Sequence, residues 1–264
     1  MRIPLSLLLV CLIHGHAALA QTAPVPQVKV DATRDPVDKS YRKMLQGVER
    51  FERDHALAPQ ALLRFRLLPR QPGVDMTGVQ LRIAGDSDSV SIPLPLAEDN
   101  SFAPVRNAQA AREDAVLIAN RKASSMSWRA QVITPGLPPG TRRLGDLRLE
   151  CRAGMESGLI SNDPQIIAWL SSMLYSTDKV CSEPDGNYLF FTDRPLFGVT
   201  LVHGERRVAL PFTMLYAGGE QTPASLPYCD CQVLLDRTYY APLWDSNWPD
   251  DTLLEFTYMD EVAP

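Results

Sequence analysis

Apolar residues first recur at helical spacing between positions 37 and 51. Val37, Tyr41, Met44, Leu45, Val48 and Phe51 share one face, while Asp38, Lys39, Arg42, Lys43, Glu49, Arg50 and Arg53 mostly occupy the other sides. The spacing predicts a helix from Pro36 to about His55, capped by Asp35 with proline at its first position. Past Ala61 the period changes to two. Leu63, Phe65 and Leu67 alternate with arginines; Val79, Leu81 and Ile83 form a second run and Val90, Ile92 and Leu94 a third. Pro, Gly, Asp or Asn bounds each run, as expected of half-buried antiparallel strands. Pro93 and Pro95 mark the third run as an edge strand or a strand end.

The polar turn Ala97–Ser101 returns the chain to the core through Phe102, and residues 107–114 read as a short helix or helical turn. Further strands are expected over Ala115–Ala119, Ser127–Ile133 and Leu147–Arg152. Asp163-Pro164 repeats the cap-and-proline start, and Ile166, Ile167, Leu170, Met173 and Leu174 make an apolar side for a helix ending near Ser176. Strand patterns then resume at Tyr188–Thr192, Gly198–Val202, Arg207–Pro211, Cys231–Leu235, Tyr239–Leu243 and Leu253–Met259. His203-Gly204-Glu205-Arg206 reads as a tight hairpin turn. These elements predict a mainly β fold: an antiparallel β-sandwich with an N-terminal helix and one inserted helix, plus a smaller β-rich C-terminal unit. The expected organisation is a signal peptide at 1–20, an extended lead-in at 21–34, a helix-plus-sandwich domain at 35–182 and the C-terminal unit at 183–264.

The first twenty residues set the expected compartment. Arg2, the apolar stretch Leu7–Ile13 and the ending Ala18-Leu19-Ala20 have the order of a secretory leader, and the apolar run is too short for a bilayer span. Cys11 follows Val10, where a lipobox carries a small residue, so lipidation is not expected. No second apolar segment of spanning length follows residue 20. The expected location is therefore periplasmic or secreted, with no membrane span after signal cleavage.

Composition adds two constraints. The chain has 264 residues and a net charge of −5, from 26 basic against 31 acidic residues, and nucleic-acid binders usually show the opposite surplus. Its 22 prolines against 15 glycines argue against long helical bundles. Removal of residues 1–20 would take away Cys11, His14 and His16 and leave Cys151, Cys181, Cys229 and Cys231 with His55 and His203. An even cysteine count in an oxidising compartment points to disulfides. The four cysteines allow three pairings; Cys151 with Cys181 is the favoured first pair, and a bond between Cys229 and Cys231, which flank Asp230, would have an awkward geometry. A redox-active Cys229-Asp230-Cys231 pair is the sharper alternative, without the βαβ pattern that such dithiols usually occupy.

Two stretches carry a resemblance. Ser91-Ile-Pro-Leu-Pro-Leu-Ala-Glu-Asp-Asn-Ser-Phe102, after the strand ending at Ile83, resembles carboxypeptidase-regulatory-like (transthyretin-like) sandwich modules, in which a strand leads into an Asp-Gly-x-Phe turn. Here that turn is Asp99-Asn100-Ser101-Phe102, without the glycine. Leu137-Pro-Pro-Gly-Thr-Arg-Arg-Leu-Gly-Asp-Leu-Arg-Leu-Glu-Cys151 resembles a segment of a secreted bacterial family that brings no activity, ligand or catalytic residue with it. The resemblance to regulatory-like modules implies a β-sandwich and a non-catalytic role.

Catalytic patterns are sparse. Only His55 and His203 would remain as bases for a Ser–His–Asp triad, and no Gly-x-Ser-x-Gly elbow, His-Glu-x-x-His, Walker loop or Gly-x-Gly-x-x-Gly occurs. No catalytic residue, metal or cofactor is therefore assigned. One constellation stands out: Trp244, Asp245, Asn247, Trp248, Asp250 and Asp251 place three carboxylates and an amide beside two indoles. Oxygen-rich loops suit hard cations and tryptophans suit sugar rings, so this is the candidate ligand loop. The plainer reading is a surface loop pinned to the core by Trp248. Arg142-Arg143, Asp146 and Arg148 form a second cluster, read either as an anion or docking patch or as the charged side of a turn and strand. The expected function is an exported, non-enzymatic binding or envelope-assembly module with an envelope protein or glycan as partner and no nucleic acid. The alternative is a carboxylate-dependent glycan hydrolase using Asp245, Asp250 or Asp251. Two carboxyls facing across a cleft near Trp248 would favour the hydrolase; an exposed strand edge or apolar patch would favour the binding module.

Overall fold

Ser40 begins the first helix. Its hydroxyl accepts from the Lys43 N–H, and α1 runs Tyr41–Arg53 with Tyr41, Met44 and Val48 buried along the expected stripe. The helix expected from Pro36 is thus shorter. Pro36–Ser40 instead form strand β1, which pairs antiparallel with β6 (Val116–Lys122), while the Tyr41 N–H bonds the Ala115 carbonyl. Pairing wins over helix here because β1 lies at the edge of its sheet, where a leading proline costs no internal ladder bond. A computed structural model describes residues 36–70, 73–87, 90–123, 125–159, 176–184, 188–218 and 234–261. Asp35, the helix expected after Asp163-Pro164 and the Cys229/Cys231 pair lie outside these residues.

The described chain is mainly β, in antiparallel sheets. In the first, β1 and β6 are followed by β3 (Leu81–Ala84) and β4 (Ser91–Leu94), with proline-bearing β4 at the far edge. The second orders β5 (Ser101–Phe102), β2 (Leu62–Pro69) and β7 (Met126–Ile133). Both send alternate residues into one core with α1: Leu63, Phe65, Leu67, Trp128, Ala130 and Val132 from one sheet, Leu81, Ile83, Leu94, Leu117 and Ala119 from the other. Phe102 packs against Phe65 and meets Trp128 edge-on at 6.1 Å between centroids. The turn into Phe102 places Asn100 at φ 59°, a conformation asparagine tolerates better than most side chains. The short helix α2 (Ala108–Arg112) is capped by Asn107.

Leu147–Arg152 is a correction to the strand expected there. The segment lies within helix α3 (Leu144–Glu156). Its apparent period of two, Leu147-Leu149-Cys151, arises because α3 is buried between two cores. Leu144, Leu147 and Cys151 enter the second core, and Leu149 and Ala153 enter the first. A helix buried on most sides shows no single apolar stripe. Strand β8 (Thr141–Arg143), just before α3, was not anticipated.

The second core lies under the sheet β11 (Arg206–Ala209), β10 (Leu196–His203), β13 (Leu253–Tyr258) and β8, in that order. A short pair, β9 (Phe190–Phe191) with β12 (Thr238–Tyr239), adds Phe190 stacked on Tyr239. Helix α4 (Thr177–Ser182) brings Cys181 to Cys151, whose Cα atoms lie 5.8 Å apart in a disulfide. The favoured pairing is the one that forms.

Candidate functional site

Arg148 organises the carboxylate loop. It leaves α3 with 11% of its side chain exposed and forks into the loop from beneath. Its guanidinium donates to the carbonyls of Leu243 (2.9 Å), Asp245 (2.9 Å) and Trp248 (3.0 Å) and to Asp250 Oδ1 at 2.6 Å. The start of α3 grips the same loop: Gly145 N–H donates to the Asp250 carbonyl and Leu144 N–H to that of Thr252, each at 2.8 Å. The approach requires glycine, because a Cβ at position 145 would fall 2.2 Å from the Leu57 carbonyl oxygen.

The remaining loop side chains have separate partners. Asp245 Oδ1 accepts from the Asn247 backbone N–H and side-chain amide at 2.9 and 2.8 Å. Asp251 lies 3.5 Å from His203 Nε2 at an exposed position. Trp248 is buried, with the Arg206 guanidinium 3.6 Å above its ring, so that face is closed to a sugar; Trp244 is half-buried. The three carboxylates therefore serve an asparagine, an arginine and a histidine rather than converging on one point. Among the described residues no group of three or more His, Cys, Asp or Glu side chains is placed to hold a metal ion.

Arg142 and Asp146 of the second arginine cluster point inward. Arg142 donates to Glu150 Oε2 and to the Val132 carbonyl, each at 2.7 Å, and Glu150 also accepts from the Val132 N–H at 2.8 Å. Burial opposes the charge on Arg142, but the adjoining Glu150 carboxylate outweighs it and holds the guanidinium pKa above its ordinary value. Asp146 is buried and accepts from the Thr134 N–H and hydroxyl. The hydroxyls of Tyr188 and Tyr239 lie in the same interior, where burial, with the Glu150 charge adding to it, pushes both pKa values up against the opposing pull of Arg142. These groups lie in the interior beside α3, which contributes to both cores. His55 likewise faces structure, with Nε2 3.2 Å from the Ala61 carbonyl and its ring against Phe51.

The β10–β11 hairpin presents a different surface. Gly204 takes φ 58°, as the first central position of a II′ turn requires, and the expected turn His203–Arg206 joins the strands. All of Arg206–Ala209 is exposed, and among the described residues β11 has β10 on one side and no strand on the other. Leu210 N–H bonds the Val199 carbonyl at 2.8 Å, so by antiparallel alternation Val208 and Arg206 also bond toward β10. The N–H and C=O groups of Arg207 and Ala209 consequently face the open edge. Arg206 folds back over Trp248 and Arg207 pairs with Glu255 across the sheet, so neither charge guards that edge. Val208, Phe212 and Phe197 are exposed nearby at 43%, 60% and 57%, with Phe212 against the Tyr216 ring and the Tyr216 hydroxyl on the Leu196 carbonyl. Sequence reasoning identified the hairpin but not its free side, because a strand's neighbours are not written in its own residues. Comparison with protein-family models, curated proteins and solved structures returns no match to this chain.

Proposed function

We propose that the chain is an exported, non-enzymatic binding or envelope-assembly protein that engages its partner along the β10–β11 edge. One observation carries the reading: an exposed strand with two outward-facing peptide groups, its arginines turned aside, beside exposed Val208, Phe212 and Phe197. Such an edge is a ready template for strand addition, with main-chain bonds giving affinity and flanking pockets specificity. The loop of Trp244–Asp251 supports the same reading, since Asp245 accepts from Asn247 and Asp250 from Arg148, while exposed Asp251 lies beside His203. The leader-like first twenty residues and the Cys151–Cys181 disulfide support export. No helix among the described residues is long and apolar enough to cross a membrane.

The test joins a photo-cross-linking side chain at position 212, in cells, with a glycan-release assay on the purified chain. Discrete protein adducts from position 212 and no released reducing ends are expected. Glycan cleavage that disappears in Asp245→Asn or Asp251→Asn would overturn the reading in favour of the hydrolase.

A further inference from the structure

The geometry points to a second copy of this chain as the occupant of the open edge, with two β11 strands paired antiparallel about a two-fold axis through Val208. The inference rests on the binding-module reading and names its partner. Only this register uses every open group. It sets Arg207 opposite Ala209 of the partner subunit, so the outward N–H and C=O of both residues are satisfied in both copies. Val208 then meets Val208 of the partner subunit as a close, non-hydrogen-bonded apolar pair, a contact its exposed side chain lacks in one copy.

The neighbouring registers are worse for stated reasons. Centring on Arg207 would oppose Ala209 to Glu205 of the partner subunit, a turn residue beyond the end of β11. Centring on Ala209 would oppose Arg207 to Pro211, which has no N–H to give. In the favoured register Pro211 instead falls opposite the turn residue Glu205 and ends the pairing. Each Arg207 also keeps its own Glu255, so the two-fold brings together neutralised pairs. The strand is short, and a stable dimer buries roughly 1,200–2,000 Å² in total, so the association is reversible and concentration-dependent.

Sedimentation velocity on the full chain, from about 1 to about 200 µM, tests this. A monomer–dimer equilibrium is expected. Ala209→Pro removes an N–H that serves no bond to β10, and Val208→Lys sets like charges on the axis. Each should raise the dissociation constant at least about tenfold with an unchanged circular dichroism spectrum. Where Ala209→Pro fails to fold, Val208→Lys carries the test. Leu62→Asp, at an exposed apolar position on β2, should leave the dimer intact. A monomer throughout, or a dimer indifferent to the β11 substitutions, overturns the inference. A monomer that still cross-links a foreign protein from position 212 loses the second copy but keeps the binding module, whereas glycan cleavage removes the module itself.

Discussion

Arg148 shows how one side chain sets the character of a loop. Read from the sequence, it is an outward charge on a period-two segment; its acceptors lie 95–102 residues away, a separation that local pattern does not carry. The loop itself was legible as a cluster of carboxylates and indoles, but the cation it meets is the protein's own guanidinium. Arg148→Ala leaves Asp250 and three carbonyls without that donor, and the expected loss is about 3–5 kcal/mol by urea unfolding. Arg148→Lys should recover only part of it, since an ammonium lacks the fork. Asp54 offers a pH test at the same scale. Its carboxylate accepts from Arg50 and Arg152 at 2.7 and 2.8 Å; burial opposes its charge, and these two partners outweigh burial and hold its pKa below the usual value. A depressed folded pKa contributes stability above the unfolded value and loses it as pH falls through the folded one. Asp54→Asn should therefore cost about 1–2 kcal/mol near pH 7, and thermal melts should show the difference from wild type closing as pH falls beneath the ordinary aspartate range.

Helix α3 explains where elements were legible and where they were not. The strands β2, β6, β7, β10 and β13 bury alternate residues against one core, and their period of two is plain in the sequence. Helix α1 has one buried face and one wet face, so its stripe was equally plain; only its first turn yielded to pairing with β6. Helix α3 serves two cores and ties its polar residues Asp146, Arg148, Glu150 and Arg152 to buried or distant partners, which erases helical amphipathicity. The disulfide anchors this helix to α4 across a separation of 30 residues. A closed loop of that size contributes about 3–4 kcal/mol in the chain-entropy account. Cys181→Ser should lower the melting temperature by about 6–16 °C, and calorimetry of the oxidised and reduced wild-type chain should show a similar gap.

At the scale of the whole molecule, two cores share α3, and Arg142, Asp146 and Glu150 are hydrogen-bonded in the interior beside it. The fold class was legible because strand period and turn residues are local properties. The edge was not, because its significance lies in the absence, among the described residues, of a neighbouring strand on one side of β11 and in two arginines that turn away from it. That edge is the proposed working surface, and amide hydrogen exchange resolved at single residues tests it most directly. At low concentration the Arg207 and Ala209 amides should exchange fast while those of Val208 and Leu210, bonded to β10, are protected. As protein concentration rises, Arg207 and Ala209 should become protected together. Amides at 207 and 209 that stay fast at every concentration, while sedimentation shows a dimer, would contradict the account.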